Sequence, residues 1–509
     1  MDFKLGAERL TCEKIYTLAT QKRSALTFDK NAQKEVERYR KIVDKAVASE
    51  GTYYGINTGF GFMSDVKIST DKLFQLQENL IRSHAAGVGE PVSDEIVRAL
   101  LVLRAHTFCL GHTGISKETV HKILEFFHKG IYPLIPAKGS VGASGDLAPL
   151  AHLALGLMGE GNVRYHGEVF AAEELLSQLS VPPLKPKAKE GLSLINGTHF
   201  MTAIGAFAAY EAKMLAKSAD IIAAMTLDAL RGTLKPFDER IHKLRHQTGQ
   251  SVVSENMRAL FSEDDEILES HKECGKVQDP YSLRCIPQVH GASRDALTYV
   301  DSVLEGELNS ITDNPLCFEN GDIISGGNFH GQPVALAMDF LCIAVAELGS
   351  ISERRIEKIT NPALSGLPAF AVEDGGLNSG FMIPHVVAAS LVSENKVLCH
   401  PASVDSIPTS ADKEDHVSMG PIAARKAREI NQNLANILAI ELLSACQGMD
   451  LLAPLKPGKA LKEVYDKVRS MSCSLDRDRS LSHDMEKVGS FILEGGLLKL
   501  AGIDSLSLR

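Results

Sequence analysis

Apolar side chains recur at helical spacing over long stretches of the chain. Three segments show this pattern with no proline beyond their first turn: 200–230, 332–360 and 421–452. In the last segment, for example, Ile430, Leu434 and Leu438 are four residues apart. Helices this long and this apolar usually pack in a bundle, where other helices cover most of their faces. The pattern therefore predicts a mainly α protein with a core of long helices.

Signals for strands are sparse, and glycine-rich segments separate the helices. Two short hairpins are predicted, one turning at Asn320-Gly321 and one turning at His166-Gly167. Glycine and small polar residues concentrate in four predicted loops, at 51–61, 139–145, 325–331 and 365–380. Loops and helices alternate early in the chain and long helices dominate later. We therefore expect an N-terminal region over residues 1–200 and a helical core over residues 201–509.

The composition changes this picture little but excludes several classes of partner. Hydrophobic residues make up 44% and charged residues 23%, as in ordinary globular proteins. The net charge of -10 and the lack of a basic block argue against nucleic acid as the main partner. Asp339 and Glu347 interrupt the most apolar segment, 333–348, so no membrane span is expected. The N-terminus lacks a secretory pattern, and nine dispersed cysteines without a CxxC pair suggest reduced thiols in the cytoplasm.

The glycine-rich segment GSVGASGDLAP, at 139–149, holds Ser144 within the tripeptide Ala143-Ser144-Gly145. Its composition alone describes a flexible loop that leads into a helix capped by Ser144 or Asp146. In a tightly bent loop, however, the amide nitrogen of Gly145 could attack the carbonyl carbon of Ala143. Loss of two waters would then leave a conjugated ring with an exposed methylidene carbon. Standard side chains offer no comparable electrophile, so chemistry that needs an electron sink requires a cofactor or a modified backbone.

This segment resembles the cofactor loop of the histidine and phenylalanine ammonia-lyase family, which forms 4-methylidene-imidazol-5-one (MIO) from Ala-Ser-Gly. The resemblance covers nearly the whole chain. Six further motifs lie around it in the family's order: YGINTGFG (54–61), NGT (196–198), QDPYSLR (278–284), TDNP (312–315), GNFH (327–330) and EDH (414–416). The resemblance implies a long-helix bundle of the aspartase/fumarase-like type with a loop-rich N-terminal cofactor region. It also implies a homotetramer in which neighbouring subunits complete each active site, and the apolar helices support shared surfaces.

The resemblance also implies roles for individual residues. Tyr54 matches the base that removes the β-proton, with a phenol pKa lowered by an electropositive group nearby. Arg284 matches a clamp that grips the substrate carboxylate with two parallel hydrogen bonds. Asn196 and Tyr281 match positions that bond the cofactor and substrate, where donors to the ring oxygen stabilise charge. Gln278 is expected to help orient them.

Three more positions near the motifs need separate interpretations. Asp146 matches a residue that assists cyclisation, and Phe329 matches one that lies over the substrate ring. Gln332 departs from the Glu of some histidine lyases and receives no role. Without the resemblance, Tyr54 and Phe329 would be packing residues, and an isolated Arg such as Arg284 would be a solvated surface group.

Two positions bear on the substrate. In tyrosine lyases the pair matching Ser83-His84 resembles His-Leu, and in phenylalanine lyases it resembles Phe-Leu. His84 can exchange hydrogen bonds with an imidazole, whereas an apolar residue would suit a phenyl ring. Glu414 can pair with an imidazole nitrogen or assist the departure of ammonia. Tyrosine lyases and aminomutases tend to carry an amide at this position. Both residues favour L-histidine, giving trans-urocanate and ammonia. A tyrosine or phenylalanine ammonia-lyase or an aminomutase is the alternative, and whether amine or ring attacks first stays open.

Other classes of function fit the sequence less well. A hydrolase with Ser144 as nucleophile needs a His base and an orienting acid, and the G-x-S-x-G elbow is missing. A non-enzymatic helical scaffold would not require Tyr54, Arg284 and Glu414 together. His242 and His246 lie four apart, as zinc ligands can, but no third ligand is evident and no metal is expected.

Overall fold

The computed structural model describes residues 1–21 and 23–509, and helices dominate it, as predicted. The helices, in chain order, are α1 Cys12–Thr20, α2 Lys30–Ala48, α3 Leu73–His84, α4 Asp94–Cys109, α5 Lys117–Lys129, α6 Leu147–Leu157, α7 Ala172–Gln178, α8 Glu190–Ile195, α9 His199–Ala229, α10 Glu239–Lys243, α11 Thr248–Leu260, α12 Glu266–Glu269, α13 Tyr281–Arg284, α14 Ile286–Leu308, α15 Gln332–Thr360, α16 Pro362–Ser365, α17 Met382–Leu398, α18 Gly420–Asp450, α19 Lys459–Arg469, α20 Ser482–Leu493 and α21 Ala501–Asp504. Short 3-10 turns lie at Gly61–Met63, Thr70–Lys72, Lys235–Phe237, Ala369–Ala371 and Leu497–Lys499.

The three long helices predicted from periodicity are confirmed as α9, α15 and α18, with bounds close to those expected. In α18 the apolar residues Ile430, Leu434 and Leu438 are fully buried, and so is the polar Asn431 on another face. Burial on several faces is what a helix inside a bundle shows. A fourth long helix, α14, was not predicted, because charged residues interrupt its apolar pattern.

The strands are short and form four small sheets. They are β1 Asp2–Lys4, β2 Ala25–Thr27, β3 Val88–Pro91, β4 Tyr132–Pro133, β5 Pro136–Lys138, β6 Asn162–Tyr165, β7 Glu168–Ala171, β8 Leu316–Cys317 and β9 Ile323–Ile324. Strands β1 and β2 pair in parallel, and the other pairs are antiparallel: β3 with β5, β8 with β9, and β6 with both β4 and β7.

Both predicted hairpins are confirmed. Strands β6 and β7 close around His166 and Gly167, whose φ angles of 50° and 87° match the left-handed pair that a two-residue hairpin turn needs. Strands β8 and β9 pair Cys317 with Ile323 across a turn in which Gly321 has φ 94°.

The chain divides into two compact units. The first unit contains Met1–Phe207, Asp301–Asp339 and Pro401–Arg425. The second contains Ala208–Val300, Phe340–His400 and Lys426–Arg509. The division expected near residue 200 lies close to the end of the first of these segments. A single cut cannot describe the units, however, because two later segments also pack with the N-terminal part.

Helix α15 contains the apolar segment 333–348 and has the extent predicted from its periodicity. Among the residues that the structure describes, it is the one helix long and apolar enough to cross a bilayer, with a window of mean hydropathy 1.9. However, 67% of that window is buried inside the protein. A core helix passes the same test of length and composition, so α15 is weak evidence for a membrane span.

Candidate active site

The Ala143-Ser144-Gly145 loop joins β5 to α6 and is bent by left-handed backbone angles. Gly142, Ser144 and Gly145 have φ of 78°, 51° and 75°. Glycine adopts this region freely, but Ser144 is a residue with a side chain held there. Such strain persists only where the surroundings impose it, and it is common at functional sites. The loop is therefore sharply bent at Ser144 and Gly145.

The bend is held by close packing against a second glycine, Gly197. Gly145 forms a parallel bridge with Gly197, and the amide of Asp146 donates to the Gly197 carbonyl oxygen at 2.8 Å. A Cβ at residue 145 would lie 2.8 Å from the Gly197 Cα and closer still to its carbonyl group. Position 145 therefore has no room for a side chain.

Two donors converge on the carbonyl oxygen of Ser144. The side-chain Nδ2 of Asn196 donates to it at 3.2 Å, and the backbone nitrogen of Gly197 donates at 3.3 Å. Asn196 is only 3% exposed, and its Oδ1 is buried without a hydrogen-bond partner among the described residues. Paired donors on one carbonyl oxygen are the arrangement that stabilises negative charge on such an oxygen.

Glu414 lies on the other side of Ser144. The Ser144 hydroxyl donates to Oε1 of Glu414 at 3.1 Å. The hydroxyls of Thr409 and Ser410 both donate to Oε2, each at 2.8 Å. Three hydroxyl donors thus fix the carboxylate, with one oxygen directed at the glycine-rich loop.

Tyr54 and His84 share an electrostatic environment with Glu414. Burial raises the pKa of Tyr54, and the charge of Glu414 raises it further, while a hydrogen bond with the Gly61 backbone opposes both. Within the chain this shift is opposite to the one expected from the sequence, in which an electropositive neighbour lowers the pKa of the phenol. The charge that acts on the phenol within the chain is that of the Glu414 carboxylate.

His84 is held as a neutral ring at the end of α3. Its Nδ1 lies 2.8 Å from the Leu80 carbonyl oxygen, which can only accept, so Nδ1 carries the hydrogen and Nε2 is the acceptor. Burial lowers the pKa of His84, although the Leu80 bond and the charge of Glu414 oppose this. The ring therefore offers an acceptor nitrogen rather than a positive charge.

The Asp146 side chain does not cap its own helix. It makes no capping bond within α6, and Oδ2 instead accepts from the Met201 amide at 2.9 Å in the first turn of α9. Asp146 thus occupies the N-cap position of α6, as the composition indicates, but without a side-chain capping bond. Burial raises the pKa of Asp146 to about 7 against hydrogen bonds from the Met201 and Phe200 backbone.

Phe329 lies half-buried in the loop that precedes α15, and the residue after it links this loop to the Glu414 loop. His330 Nδ1 accepts from the Gln332 amide at 3.3 Å, so Nε2 donates to the His416 carbonyl oxygen at 3.2 Å. The two imidazoles are stacked, with centroids 5.7 Å apart. Gln332 donates to the Ser403 carbonyl at 3.1 Å, which is a structural contact.

Gln278, Tyr281 and Arg284 belong to the second unit. Gln278 is exposed, Tyr281 at the start of α13 is 71% exposed, and the Arg284 guanidinium stacks on the Tyr281 ring at 4.5 Å from its centroid. Stacking holds the planar group in one orientation. The roles assigned to these three residues stay predictions.

The histidine pair considered for zinc has another explanation. His242 Nε2 lies 3.0 Å from the Pro236 carbonyl oxygen, and Nδ1 lies 3.0 Å from the Gln250 amide nitrogen. Both ring nitrogens are therefore used within the second unit. The described part of the chain contains no group of three or more His, Cys, Asp or Glu residues placed to hold a metal ion.

Known proteins resemble this chain along almost its full length. A family model described as aromatic amino acid lyase matches residues 10–470. The chain belongs to the aromatic amino acid lyase family. It is 50% identical to histidine ammonia-lyase of Alkaliphilus oremlandii over 496 residues, 97% of each chain. It is 48% identical to the Homo sapiens histidine ammonia-lyase over 503 residues, 98% of this chain and 76% of the relative. The chain is accordingly a carbon–nitrogen lyase.

Solved structures confirm the fold of this lyase. Histidine ammonia-lyase from Trypanosoma cruzi superposes with a TM-score of 0.92 at 46% identity, covering 99% of this chain and 96% of that one. A tyrosine aminomutase from Streptomyces globisporus gives 0.93 at 37% identity, with full coverage of both. Yeast phenylalanine ammonia-lyase, at 22% identity and a TM-score of 0.80, shows the fold alone. The predicted aspartase/fumarase-type fold is confirmed.

A group of buried residues in this lyase, which no sequence motif predicted, contacts the segment that carries Asn196. Arg104 is fully buried on α4 and bonds the segment that carries Asn196. His199 and Thr107 complete this group. The available signal was a pair of arginines, Arg98 and Arg104, within the apolar stretch 96–105 of a helix, because a buried cation needs a specific set of partners.

Proposed function

We propose that this lyase eliminates ammonia from L-histidine to give trans-urocanate, using MIO formed autocatalytically from Ala143, Ser144 and Gly145. The observation that carries the proposal is the convergence of the Asn196 side chain and the Gly197 amide on the Ser144 carbonyl oxygen. In the cyclised loop this oxygen would remain as the ring oxygen.

The residues present fit the cofactor. Ring closure brings the Gly145 nitrogen to the Ala143 carbonyl carbon, and the left-handed angles of Ser144 and Gly145 supply the bend. The packing against Gly197 excludes any side chain at residue 145. The family is known for this electrophile, which supplies the electron sink that standard side chains lack.

The surrounding residues bind and hold charge or protons at defined atoms. Asn196 Nδ2 and the Gly197 amide stabilise negative charge on the Ser144 oxygen. Tyr54 takes the β-proton of the substrate at its phenolic oxygen. Glu414, held by hydrogen bonds from Thr409 and Ser410, pairs with the substrate amino group or with an imidazole nitrogen.

The raised pKa of Tyr54 bears on how the site is completed. A phenol becomes a base at neutral pH only if a positive group lowers its pKa. Within the chain, burial and Glu414 act in the opposite direction. We propose that loops of neighbouring subunits complete each site in a homotetramer, with Arg284 and Gln278 holding the substrate and the exposed Tyr281 donating to the site. Exposed apolar residues on α15 and α17 support shared surfaces, namely Phe340, Ile343, Ile383 and Val386.

Two observations favour histidine over tyrosine or phenylalanine. His84 is neutral and presents Nε2 as an acceptor for an imidazole N–H, with Glu414 as a second acceptor. A site built to hydrogen-bond a polar ring rejects an analogue that leaves its own polar groups unpaired. The cited relatives named histidine ammonia-lyase are also the more similar ones, at 46–50% identity against 37% for tyrosine aminomutase. Phe329 would then lie over the substrate ring.

The test is a parallel assay of L-histidine, L-tyrosine and L-phenylalanine at equal concentrations. We expect an absorbing urocanate product from histidine and slow turnover of the other two. Faster turnover of either aromatic amino acid would assign the chain to a tyrosine or phenylalanine lyase, and a β-amino acid product to an aminomutase. Sedimentation velocity should show a tetramer, and a fully active monomer would contradict the shared site. A cytoplasmic location without nucleic-acid or membrane partners completes the proposal.

A further inference from the structure

We infer that Arg104 is a positioning residue that acts through the Asn196–Gly197 peptide on the carbonyl oxygen of Ser144. The inference rests on the proposed function, because it assigns this oxygen the charge that develops during dehydration and turnover. It adds a residue that none of the family motifs in the sequence contains, 92 positions away from Asn196 in the chain.

The Arg104 guanidinium grips the chain on both sides of Asn196. Arg104 is 1% exposed on α4, and its Nη1 donates to the Asn196 carbonyl oxygen at 3.0 Å. Its Nη2 donates to the Ser193 carbonyl oxygen, in the last turn of α8. A cation beside the free carbonyls at the C-terminus of a helix is favourable. The planar guanidinium thus fixes the C-terminal end of α8 and the position of the Asn196 backbone.

One peptide group connects the Arg104–Asn196 hydrogen bond to Ser144. The carbonyl of residue 196 and the amide of residue 197 belong to one planar unit. Arg104 donates to the carbonyl oxygen of this peptide, on Asn196, and the N–H of the same peptide, on Gly197, donates to the Ser144 oxygen at 3.3 Å. A charged donor on a peptide oxygen polarises the group, and polarised groups strengthen the next hydrogen bond in a chain. Arg104 therefore makes Gly197 a better donor while it also places the Asn196 side chain.

A second contact makes the arrangement rigid. His199 Nδ1 lies 2.9 Å from Arg104 Nη1 and must accept, so Nε2 carries the hydrogen and donates to Thr107 Oγ1 at 3.0 Å. The guanidinium also stacks on the Phe108 ring, 4.5 Å from its centroid. Burial lowers the pKa of Arg104 to about 10, with Asp313 and Asp146 opposing, so the group stays protonated at neutral pH.

Charge builds on the Ser144 oxygen in two reactions. Dehydration removes the Ser144 Cα proton and expels the hydroxyl group from Cβ as water, and the electron pair left at Cα delocalises onto the carbonyl oxygen before the new double bond forms. Turnover again shifts electron density onto this oxygen. A weaker donor set should therefore slow both cofactor formation and catalysis, with little effect on substrate affinity.

The experiment compares Arg104→Lys and Arg104→Met with Arg98→Lys and Arg98→Met in the full-length protein. Arg98 is a matched control: it is also buried on α4 and also donates to backbone carbonyls, those of Leu18 and Phe127. Intact mass gives the fraction of chains that have lost two waters. Turnover of L-histidine per modified chain, KM and the near-ultraviolet difference spectrum against Ser144→Ala are then measured.

We expect fewer modified chains in both Arg104 variants than in their Arg98 counterparts. Per modified chain, kcat should fall about tenfold in Arg104→Lys and about a hundredfold in Arg104→Met, with KM nearly unchanged. The near-ultraviolet band should shift in these variants, because the donors to the ring oxygen change. A merely structural role would lower yield and thermal stability without moving the band or kcat per modified chain.

The outcomes separate the two proposals. A wild-type chain that keeps its encoded mass overturns the proposed function and this inference with it. If the wild type loses two waters and Arg104→Lys equals Arg98→Lys in modified fraction, kcat and spectrum, the inference alone is wrong. If Arg104→Met does not fold, Arg104→Lys decides, because it keeps the charge but cannot span both carbonyls.

Discussion

A methyl group at residue 145 tests how the glycine pair shapes the loop. In Gly145→Ala the new Cβ would lie 2.8 Å from the Gly197 Cα, at a residue with φ 75°. Left-handed backbone costs a residue with a side chain about 1–2 kcal/mol. Relieving the overlap requires the two segments to separate by roughly 1 Å. That movement weakens the Asp146–Gly197 and Gly197–Ser144 bonds, of 2.8 and 3.3 Å, which contribute about 1 kcal/mol each. The expected loss of unfolding free energy is about 3–4 kcal/mol.

The matched control is Gly167→Ala in the β6–β7 turn. Gly167 has a similar φ of 87°, but no atom lies within 4 Å of an added Cβ. We expect this control to lose only about 1–2 kcal/mol by urea unfolding and to keep its activity and its loss of two waters. Gly145→Ala should keep the encoded mass and lose nearly all turnover, because the Ser144 oxygen leaves its donors. Normal dehydration and turnover in Gly145→Ala would refute this reasoning.

Three further predictions concern charge and specificity. Burial raises the pKa of Asp146 in the folded protein from its ordinary 3.8 to about 7, so the free energy of unfolding should fall as pH rises between these values. Urea unfolding of Asp146→Asn should lack that decrease. If wild type and Asp146→Asn lose the same unfolding free energy over this pH range, the prediction is wrong. Arg284→Lys should raise KM for L-histidine by about tenfold or more, since a point charge replaces a two-pronged clamp, and unchanged kinetics would make Arg284 structural. His84→Leu and Glu414→Gln should reduce histidine turnover far more than any residual phenylalanine turnover, and equal losses in a parallel assay would argue against their role in specificity.

The sequence predicted the parts of the fold that depend on local pattern. Helices α9, α15 and α18 follow from apolar spacing, and both hairpins follow from their turn residues. Helix α14 could not be predicted from apolar spacing, because charged residues interrupt its apolar face. The two compact units could not be predicted, because they bring together segments that are far apart in the chain.

At the site, the motifs indicate side chains but not their surroundings. The Asn196 side chain donates to the Ser144 carbonyl oxygen, while its assigned role stays a prediction, and the second donor, Gly197, is a backbone amide that no residue type reveals. Within the single chain the pKa of Tyr54 shifts opposite to the expected direction, because burial and the Glu414 charge depend on the folded surroundings. Arg104 was missed for the same reason, since its partners lie on another part of the chain.

The intact mass of the purified protein tests the central claim most directly. Cyclisation and dehydration at Ala143, Ser144 and Gly145 predict a wild-type chain that is two water molecules lighter than encoded, with the loss confined to the peptide that spans these residues. Ser144→Ala should keep its helical circular dichroism and have almost no lyase activity. It should not lose the water that comes from the Ser144 hydroxyl, so its mass should not fall by two waters. A wild-type chain of encoded mass that turns over L-histidine, or near-normal turnover by Ser144→Ala, would contradict the account.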